Sequence, residues 1–247
     1  MHKVEPPKVT GRVRWLYGIG AAAYGVKDNG FSYFLLFYYN QVLGLPGTYA
    51  GLAILIAMMF DAVSDPLVGV WSDNTHSRWG RRHPFMYGSA IPVAIAYLAI
   101  WNPPDLTEFA LFAYLTISCI LVRFFITLYE IPSSAIVAEL TNDYDERTRL
   151  LSYRYMMGWA GGLTMAMLNW GVFMVAFGTT SAATYKIYGS LGALIMLVAI
   201  LGSSYGLHRY IPHLHAPPQR ESYHVRQLIG DLFVTLSNRN FLALFMA

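Results

Sequence analysis

Long apolar stretches separated by short turns constrain the fold of this chain more than any other feature. A helix that crosses the hydrocarbon core of a bilayer needs about 20 mostly apolar residues. The sequence contains six such stretches, at about 15–41, 48–72, 85–101, 109–138, 153–177 and 185–210. We therefore predict an all-α membrane protein whose six-helix bundle occupies residues 15–210.

The amino-acid composition favours the same class and excludes others. Hydrophobic residues make up 55% of the chain and charged residues 13%, whereas a soluble domain usually carries about 25% charged residues. The single cysteine, Cys119, excludes an internal disulfide and a cysteine-rich metal site. The formal net charge is only +3, so no nucleic-acid partner is expected.

The basic residues predict the orientation of the bundle. Fourteen of the 17 lie in the N-terminal tail or in loops on one side of the predicted membrane, while Lys186 flanks the other side. The positive-inside rule then places both termini in the cytoplasm of a multi-pass plasma-membrane protein. Residues 1–14 form a cytoplasmic tail in this prediction. Residues 211–240 form a middle loop with an amphipathic helix at 225–234, and residues 241–247 form the truncated start of a seventh helix.

Six ionisable residues interrupt the apolar stretches, where each costs about 2.5–3.5 kcal/mol unless it has a partner or faces water. They are Lys27, Asp28, Asp61, Asp65, Arg123 and Glu130. Four carboxylates against two bases leave a formal charge of −2, which predicts a bound cation or proton. The groups could instead form ion pairs that only fix helix packing, and Arg123 could neutralise Glu130 on the same helix stripe.

Two of these acids carry the most specific spacing. Asp61 and Asp65 are one helical turn apart and share a helix face. Such carboxylates repel each other unless a cation lies between them or one binds a proton. Oxygen ligands suit hard cations, and Na⁺ is one of these. Ser64 lies beside Asp65, and Thr127 in the fourth stretch could add a hydroxyl ligand.

Several motifs together match a known family. The second stretch and the loop after it contain Asp-x-x-x-Asp-Pro at 61–66 and Arg-x-Gly-Arg-Arg-x-Pro at 78–84. The first stretch contains Lys-Asp at 27–28, and the fourth contains Tyr-Glu-Ile-Pro at 129–132. Over residues 17–154 the sequence resembles the glycoside–pentoside–hexuronide:cation symporters, the melibiose-carrier group of the major facilitator superfamily.

This resemblance implies a transporter, not an enzyme, that moves a sugar or glycoside together with Na⁺ or H⁺ by alternating access and needs no cofactor. It also implies roles for particular residues. The residues that would bind the substrate are Asp28, Lys27, Glu130 and Arg154. The residues that would bind the cation are Asp61, Asp65, Ser64 and Thr127, with Asp61 and Asp65 as metal ligands if the ion is Na⁺. The gating loop would comprise Gly69, Asp73, Arg78, Gly80, Arg81 and Arg82. In that loop, Gly69 would allow close helix approach and Asp73 would pair with the arginines.

The sequence also departs from the melibiose carriers. Ser64 stands where they have asparagine, and Ser134 stands where they have an aromatic residue that stacks on the sugar. The sugar and the coupling ion therefore stay open. These carriers have twelve helices in two halves, so the expected partners are the bilayer, a small-molecule sugar, a cation, and a missing C-terminal half or a second chain.

Three other interpretations remain open. A symporter of a lysolipid or another amphiphile would keep the fold, and a non-transporting membrane sensor or remnant would bind a ligand without moving it. An intramembrane prenyltransferase would bind Mg²⁺ through Asp61 and Asp65, but a second aspartate-rich motif is missing from the other apolar stretches. We expect His208, His213 and His215 to be solvated loop residues rather than metal ligands.

Overall fold

The computed structural model describes residues 9–213, and every regular element in that range is helical. The predicted amphipathic helix at 225–234 and the start of helix seven at 241–247 lie outside the described residues. The elements are α1 (Gly11–Ile19), α2 (Ala21–Asn29), π-helical segments Gly30–Leu35 and Tyr38–Val42, α3 (Gly47–Asp73), α4 (His83–Ile100), α5 (Glu108–Ala135), α6 (Val137–Leu140), α7 (Tyr144–Leu168), a π-helical segment Asn169–Phe173, α8 (Met174–Phe177), α9 (Ala182–His208) and a 3₁₀ turn Ile211–His213.

Five helical segments are long and apolar enough to cross a membrane. They are Gly47–Asp73, His83–Ile100, Glu108–Leu140, Tyr144–Phe177 and Ala182–His208. The predicted class, an all-α multi-pass membrane protein, is thereby confirmed. The remaining predicted span, the first in the chain, is helical but is not among these five, so its crossing stays a prediction.

The hydrogen-bonding pattern of the first predicted span changes from α-helical to π-helical where its apolar run is interrupted. α2 ends at Asn29, directly after Lys27 and Asp28, and a π-helical segment begins at Gly30. Single π-helical turns inside membrane-length helices occur frequently at functional sites. This irregular region therefore coincides with the charged residues that the sequence singled out.

Helix packing places α1 and α2 against both α7 and α9. α3 packs on α5, and α4 packs on α5 and α9, so the described elements form one continuous bundle. Large aromatic side chains fill the core between the ends of α4 and α9, where the Trp101 ring stacks with Tyr185 and meets Tyr188 edge-on. This arrangement brings α2, α5 and α7 around a common space.

Glycines make the contact between α2 and α7 unusually close. A Cβ atom on Gly25 would overlap the backbone carbonyl oxygen of Gly158, and one on Gly162 would overlap the Asn29 amide. A Cβ atom on Gly161 would lie 2.9 Å from Ala22. Small residues allow helices in membranes to approach this closely and gain van der Waals contact. The contact holds the charged part of α2 beside α7.

Candidate functional site

A cavity of about 270 Å³ opens between α2, α5 and α7. Its charged lining residues are Asp28, Glu130 and Arg154, and its aromatic lining residues are Tyr24, Tyr155 and Trp159. Each charged residue comes from a different helix, and all three belong to the predicted substrate site. The three aromatic residues were missed by the sequence analysis, which looked for a stacking side chain only at the position of Ser134.

Two of the charged residues of this cavity, Arg154 on α7 and Glu130 on α5, form an ion pair. The Arg154 guanidinium lies 3.4 Å from Glu130 Oε1 and donates a hydrogen bond of 2.8 Å to Ser133 Oγ. It also lies over the ring of Tyr17, 5.7 Å from the centroid. The partner of Glu130 is therefore Arg154, and the suggestion that Arg123 neutralises Glu130 was wrong.

Lys27 is placed differently from the other predicted substrate residues. Its side chain is buried and does not line the cavity; its Nζ lies 3.7 Å from Asp28 Oδ1 and 4.6 Å from the centroid of the Tyr24 ring. The Asp28 side chain is 53% exposed. Lys27 thus forms an ion pair with Asp28 without lining the cavity, while the Asp28 carboxylate is accessible from the cavity.

The predicted cation residues lie on the interface between α3 and α5. Arg123 forms an ion pair with Asp61, and one helical turn further Thr127 Oγ1 donates a hydrogen bond of 3.0 Å to Asp65 Oδ1. Each pair is separated by 62 residues in the chain, so the two helices run parallel. The Ser64 hydroxyl instead donates over 3.5 Å to the backbone carbonyl of Asp61.

Asp65 differs from the other membrane acids in its partners. Among residues 9–213, Asp28, Asp61 and Glu130 each have a basic partner within 4.0 Å, whereas Asp65 has only the neutral hydroxyl of Thr127. Counting Arg154 with the six groups changes their formal charge from −2 to −1. The Oδ1 atom of Asp61 is also buried without a hydrogen-bond partner in the described part of the chain. Among the described residues, Asp65 is therefore the one of these four acids without a basic partner.

The ion pair between Asp61 and Arg123 gives the first testable prediction. Replacing Arg123 by glutamine leaves a largely buried carboxylate unpaired and should lower the free energy of unfolding by about 3 kcal/mol. The double variant Asp61→Asn/Arg123→Gln should be more stable than Arg123→Gln alone, because no charge is left unpaired. Thermal unfolding of the purified protein measures both effects.

A matched control for this pair lies on the surface. Arg149 is 60% exposed and pairs with Glu146, so Arg149→Gln should cost less than about 1 kcal/mol. If the double variant were no more stable than Arg123→Gln, the two side chains would not act as a pair.

The predicted gating loop folds onto an acidic residue that the sequence analysis missed. Glu139 is buried, and its Oε1 lies 2.5 Å from Arg81 Nη2 and 2.7 Å from Arg82 Nε, although the latter is not aligned for a hydrogen bond. Asp73 Oδ1 lies 3.2 Å from Arg82 Nη2. Burial lowers the pKa of Arg82, and the carboxylate of Glu139 opposes that shift. Two acids and two arginines thus form a charged cluster, called the gating cluster below.

The other predicted gating residues lie outside the gating cluster. Gly80 has a φ of +75°, which glycine adopts without strain. The Arg78 guanidinium lies over the ring of Trp79, 5.3 Å from its centroid. A Cβ on Gly69 would be 3.8 Å from Ile131, which leaves room for a methyl group, so close packing does not require glycine there in this conformation.

One of the predicted loop histidines is part of the helical bundle. His208 is the last residue of α9, its Nδ1 lies 3.1 Å from the Tyr87 hydroxyl, and its ring packs 6.0 Å from that of His83. The expectation of a solvated loop residue was wrong for His208, because α9 continues through it. His213 ends the 3₁₀ turn, and His215 lies outside the described residues.

Comparisons with known proteins agree on one family. A family model described as MFS/sugar transport protein, where MFS denotes the major facilitator superfamily, matches residues 16–247. The uncharacterized symporter sll1374 of Synechocystis sp. is 34% identical over 190 residues, which is 74% of this chain and 34% of that protein. The inner membrane symporter YicJ of Escherichia coli is 28% identical over 217 residues, 88% of this chain and 46% of that protein.

Two further matches concern a named substrate and the fold. The isoprimeverose transporter of Lactiplantibacillus pentosus is 28% identical over 173 residues, 69% of this chain and 36% of that protein. A crystal structure of a mutant peptide transporter, POT, in complex with alafosfalin superposes with a TM-score of 0.62 at 17% identity. It covers 98% of this chain and 48% of that one, and shows a common fold. The chain spans between a third and a half of the length of these relatives.

Proposed function

Because the chain belongs to the family of MFS/sugar transport proteins, we propose that it forms the N-terminal half of a cation-coupled symporter for a sugar or glycoside. The observation that carries this proposal is the convergence of Asp28, Glu130 and Arg154, from three helices, on one cavity. Transport would proceed by alternating access, with both termini in the cytoplasm.

The chemistry of the cavity suits a sugar. Carboxylates and a guanidinium bind neighbouring hydroxyls through charge-assisted hydrogen bonds. Trp159 and Tyr155 of α7 are 65% and 69% exposed, so their faces are available to the apolar C–H surface of a sugar ring. Aromatic walls with a few charged groups are typical of small-molecule sites, and the name of the isoprimeverose transporter points to the same substrate class.

The coupling cation would bind beside Asp65. Its carboxylate has a hydroxyl partner but no basic one among residues 9–213, and the free oxygen of Asp61 is one helical turn away. Either Na⁺ or a proton would neutralise Asp65. Neutralisation would let α3 pack more closely on α5, and α5 carries Glu130 into the substrate cavity. Cation binding would thereby prepare the sugar site.

The second half of the carrier would complete the site. The charged wall of the cavity is costly to expose to lipid, and carriers of this superfamily bind substrate near the midplane between two halves. A C-terminal half or a second chain would cover it. The gating cluster of Asp73, Arg81, Arg82 and Glu139 would close one end in one state and separate in the other.

Uptake into vesicles tests the proposal. The natural full-length protein, reconstituted into proteoliposomes, should accumulate a radiolabelled sugar from a panel of glycosides only when a Na⁺ or H⁺ gradient is imposed. Competition by lysolipids but not by sugars would support the amphiphile interpretation instead. Binding without accumulation under either gradient would support a sensor.

Replacement of Asp28 by asparagine separates substrate binding from cation binding. The loss of a charged acceptor for sugar hydroxyls should weaken sugar binding by about 10- to 100-fold, while the affinity for the cation stays unchanged. Isothermal titration calorimetry with each ligand measures the two affinities. Asp105→Asn is the matched control, because Asp105 is exposed in the loop before α5. An equal loss of both affinities would contradict the separation of the two sites.

A further inference from the structure

A second cavity, of about 300 Å³, lies between α1 and α9, and within residues 9–213 it shares no lining residue with the substrate cavity. Its principal lining residues are Arg12, Leu16, Gly202, Tyr205, His208 and Arg209. Arg12 is near the start of α1, and Arg209 directly follows α9. The cavity therefore lies at one end of the bundle, on the same side as the turn at Gly80, which approaches Ile211.

The charge of this cavity is positive. Arg12 and Arg209 are exposed, and neither has an acidic partner within 4.0 Å among residues 9–213. The Arg209 guanidinium donates a hydrogen bond of 3.1 Å to the Tyr210 hydroxyl and lies over its ring. His208 uses Nδ1 in its contact with Tyr87, which leaves Nε2 for another partner. The C-terminal end of α9 alone would repel an anion, and these basic groups offset that effect.

The part of the cavity wall formed by Leu16, Gly202 and Tyr205 carries no charge, and the cavity is partly open. A Cβ on Gly202 would meet no atom of the described residues within 4 Å, whereas one on Gly206 would lie 2.8 Å from Leu16. The two helices thus touch at Leu16 and Gly206 and leave space at Gly202. Tyr205 is 80% exposed beside this space, and tyrosine is enriched where membrane helices meet the membrane–water interface.

We propose that this cavity binds the phosphate headgroup of an anionic phospholipid, with Arg12 and Arg209 on the phosphate and Leu16 and Tyr205 along the glycerol and upper acyl chains. Basic pockets between transmembrane helices bind lipid headgroups. The apolar wall and the exposed tyrosine favour a lipid over a water-soluble phosphate. The bound lipid would bridge α1 and α9 at the basic end of the bundle.

Native mass spectrometry of the natural full-length protein tests the site. Phosphatidylglycerol and phosphatidylcholine with identical acyl chains are titrated separately, and the bound lipid is counted. We expect phosphatidylglycerol to bind at least about tenfold more tightly, and Arg12→Gln/Arg209→Gln to remove most of that difference. Equal binding of the two lipids, or an unchanged preference in the double variant, would overturn the proposal.

Two further variants and a competitor complete the experiment. Gly202→Leu keeps both arginines but fills the open space, so it should also weaken phosphatidylglycerol binding. Lys186→Gln removes one positive charge at the start of α9, far along the chain from Arg209, and should leave the preference unchanged. Displacement by glycerol 3-phosphate at concentrations comparable to the lipid would show a site for a soluble phosphate ester and refute the lipid assignment.

Discussion

Replacement of Asp65 by asparagine in the full-length protein is expected to abolish cation-driven sugar uptake. Asparagine keeps the size of the side chain and can still accept the hydrogen bond from Thr127, but it can neither balance the charge of Na⁺ nor take up the coupled proton. We expect the cation-dependent part of uptake to fall by at least about 100-fold, equivalent to about 2.7 kcal/mol. Uptake in proteoliposomes with and without the gradient measures it.

Comparison with neighbouring variants shows whether the effect belongs to Asp65. Thr127→Val removes one neutral hydrogen-bond donor and should weaken cation dependence only by about fivefold. Asp61→Asn frees Arg123 from its ion pair, so it should lower thermal stability as well as coupling. If Asp65→Asn retained normal cation-dependent uptake, the cation would bind elsewhere.

Replacement of Gly25 by valine is expected to prevent normal packing of the bundle. Even the Cβ of alanine would overlap the carbonyl oxygen of Gly158, and a backbone atom cannot rotate away as the end of a side chain can. The cost should reach about 3 kcal/mol or more, the upper range for overpacking. Thermal unfolding of purified protein and the fraction that elutes as a monodisperse species measure the loss.

A glycine elsewhere in the bundle serves as the control. A Cβ on Gly88 in α4 would meet no atom of residues 9–213 within 4 Å, so Gly88→Ala should be neutral or slightly stabilising through better helix propensity. Sugar affinity should fall with Gly25→Val, because the contact of α2 with α7 places Asp28 and Arg154 on the same cavity. Wild-type stability of Gly25→Val would mean that α2 and α7 are further apart than the structure places them.

Much of the architecture follows from local patterns. Apolar runs of about 20 residues predict membrane helices, and five of the six predicted stretches contain a helix long and apolar enough to cross. The first stretch was harder to predict. Its helical geometry changes around Asn29 and Gly30, after two charged residues, and hydropathy averaged over a window does not register such a change.

The close contact between α2 and α7 has a signal in the sequence. Gly158 and Gly162 are four residues apart, a spacing typical of closely packed membrane helices. That pattern identifies a face suited to close approach, but it does not identify the partner. The tertiary structure decides the partner of this face, which is α2 in the first segment of the chain.

The sequence by itself determined the membrane class, most of the helices and which residues share a face of one helix, because these depend on composition and on a period of 3.6 residues. The family resemblance rests on the motifs alone. Only the tertiary structure decided which faces meet. It paired Arg123 with Asp61 and Arg154 with Glu130, brought Glu139 to the gating loop and left Asp65 beside a hydroxyl. Ion pairs between helices depend on the packing angle and the register of distant segments, and neither is encoded in the local pattern of either helix.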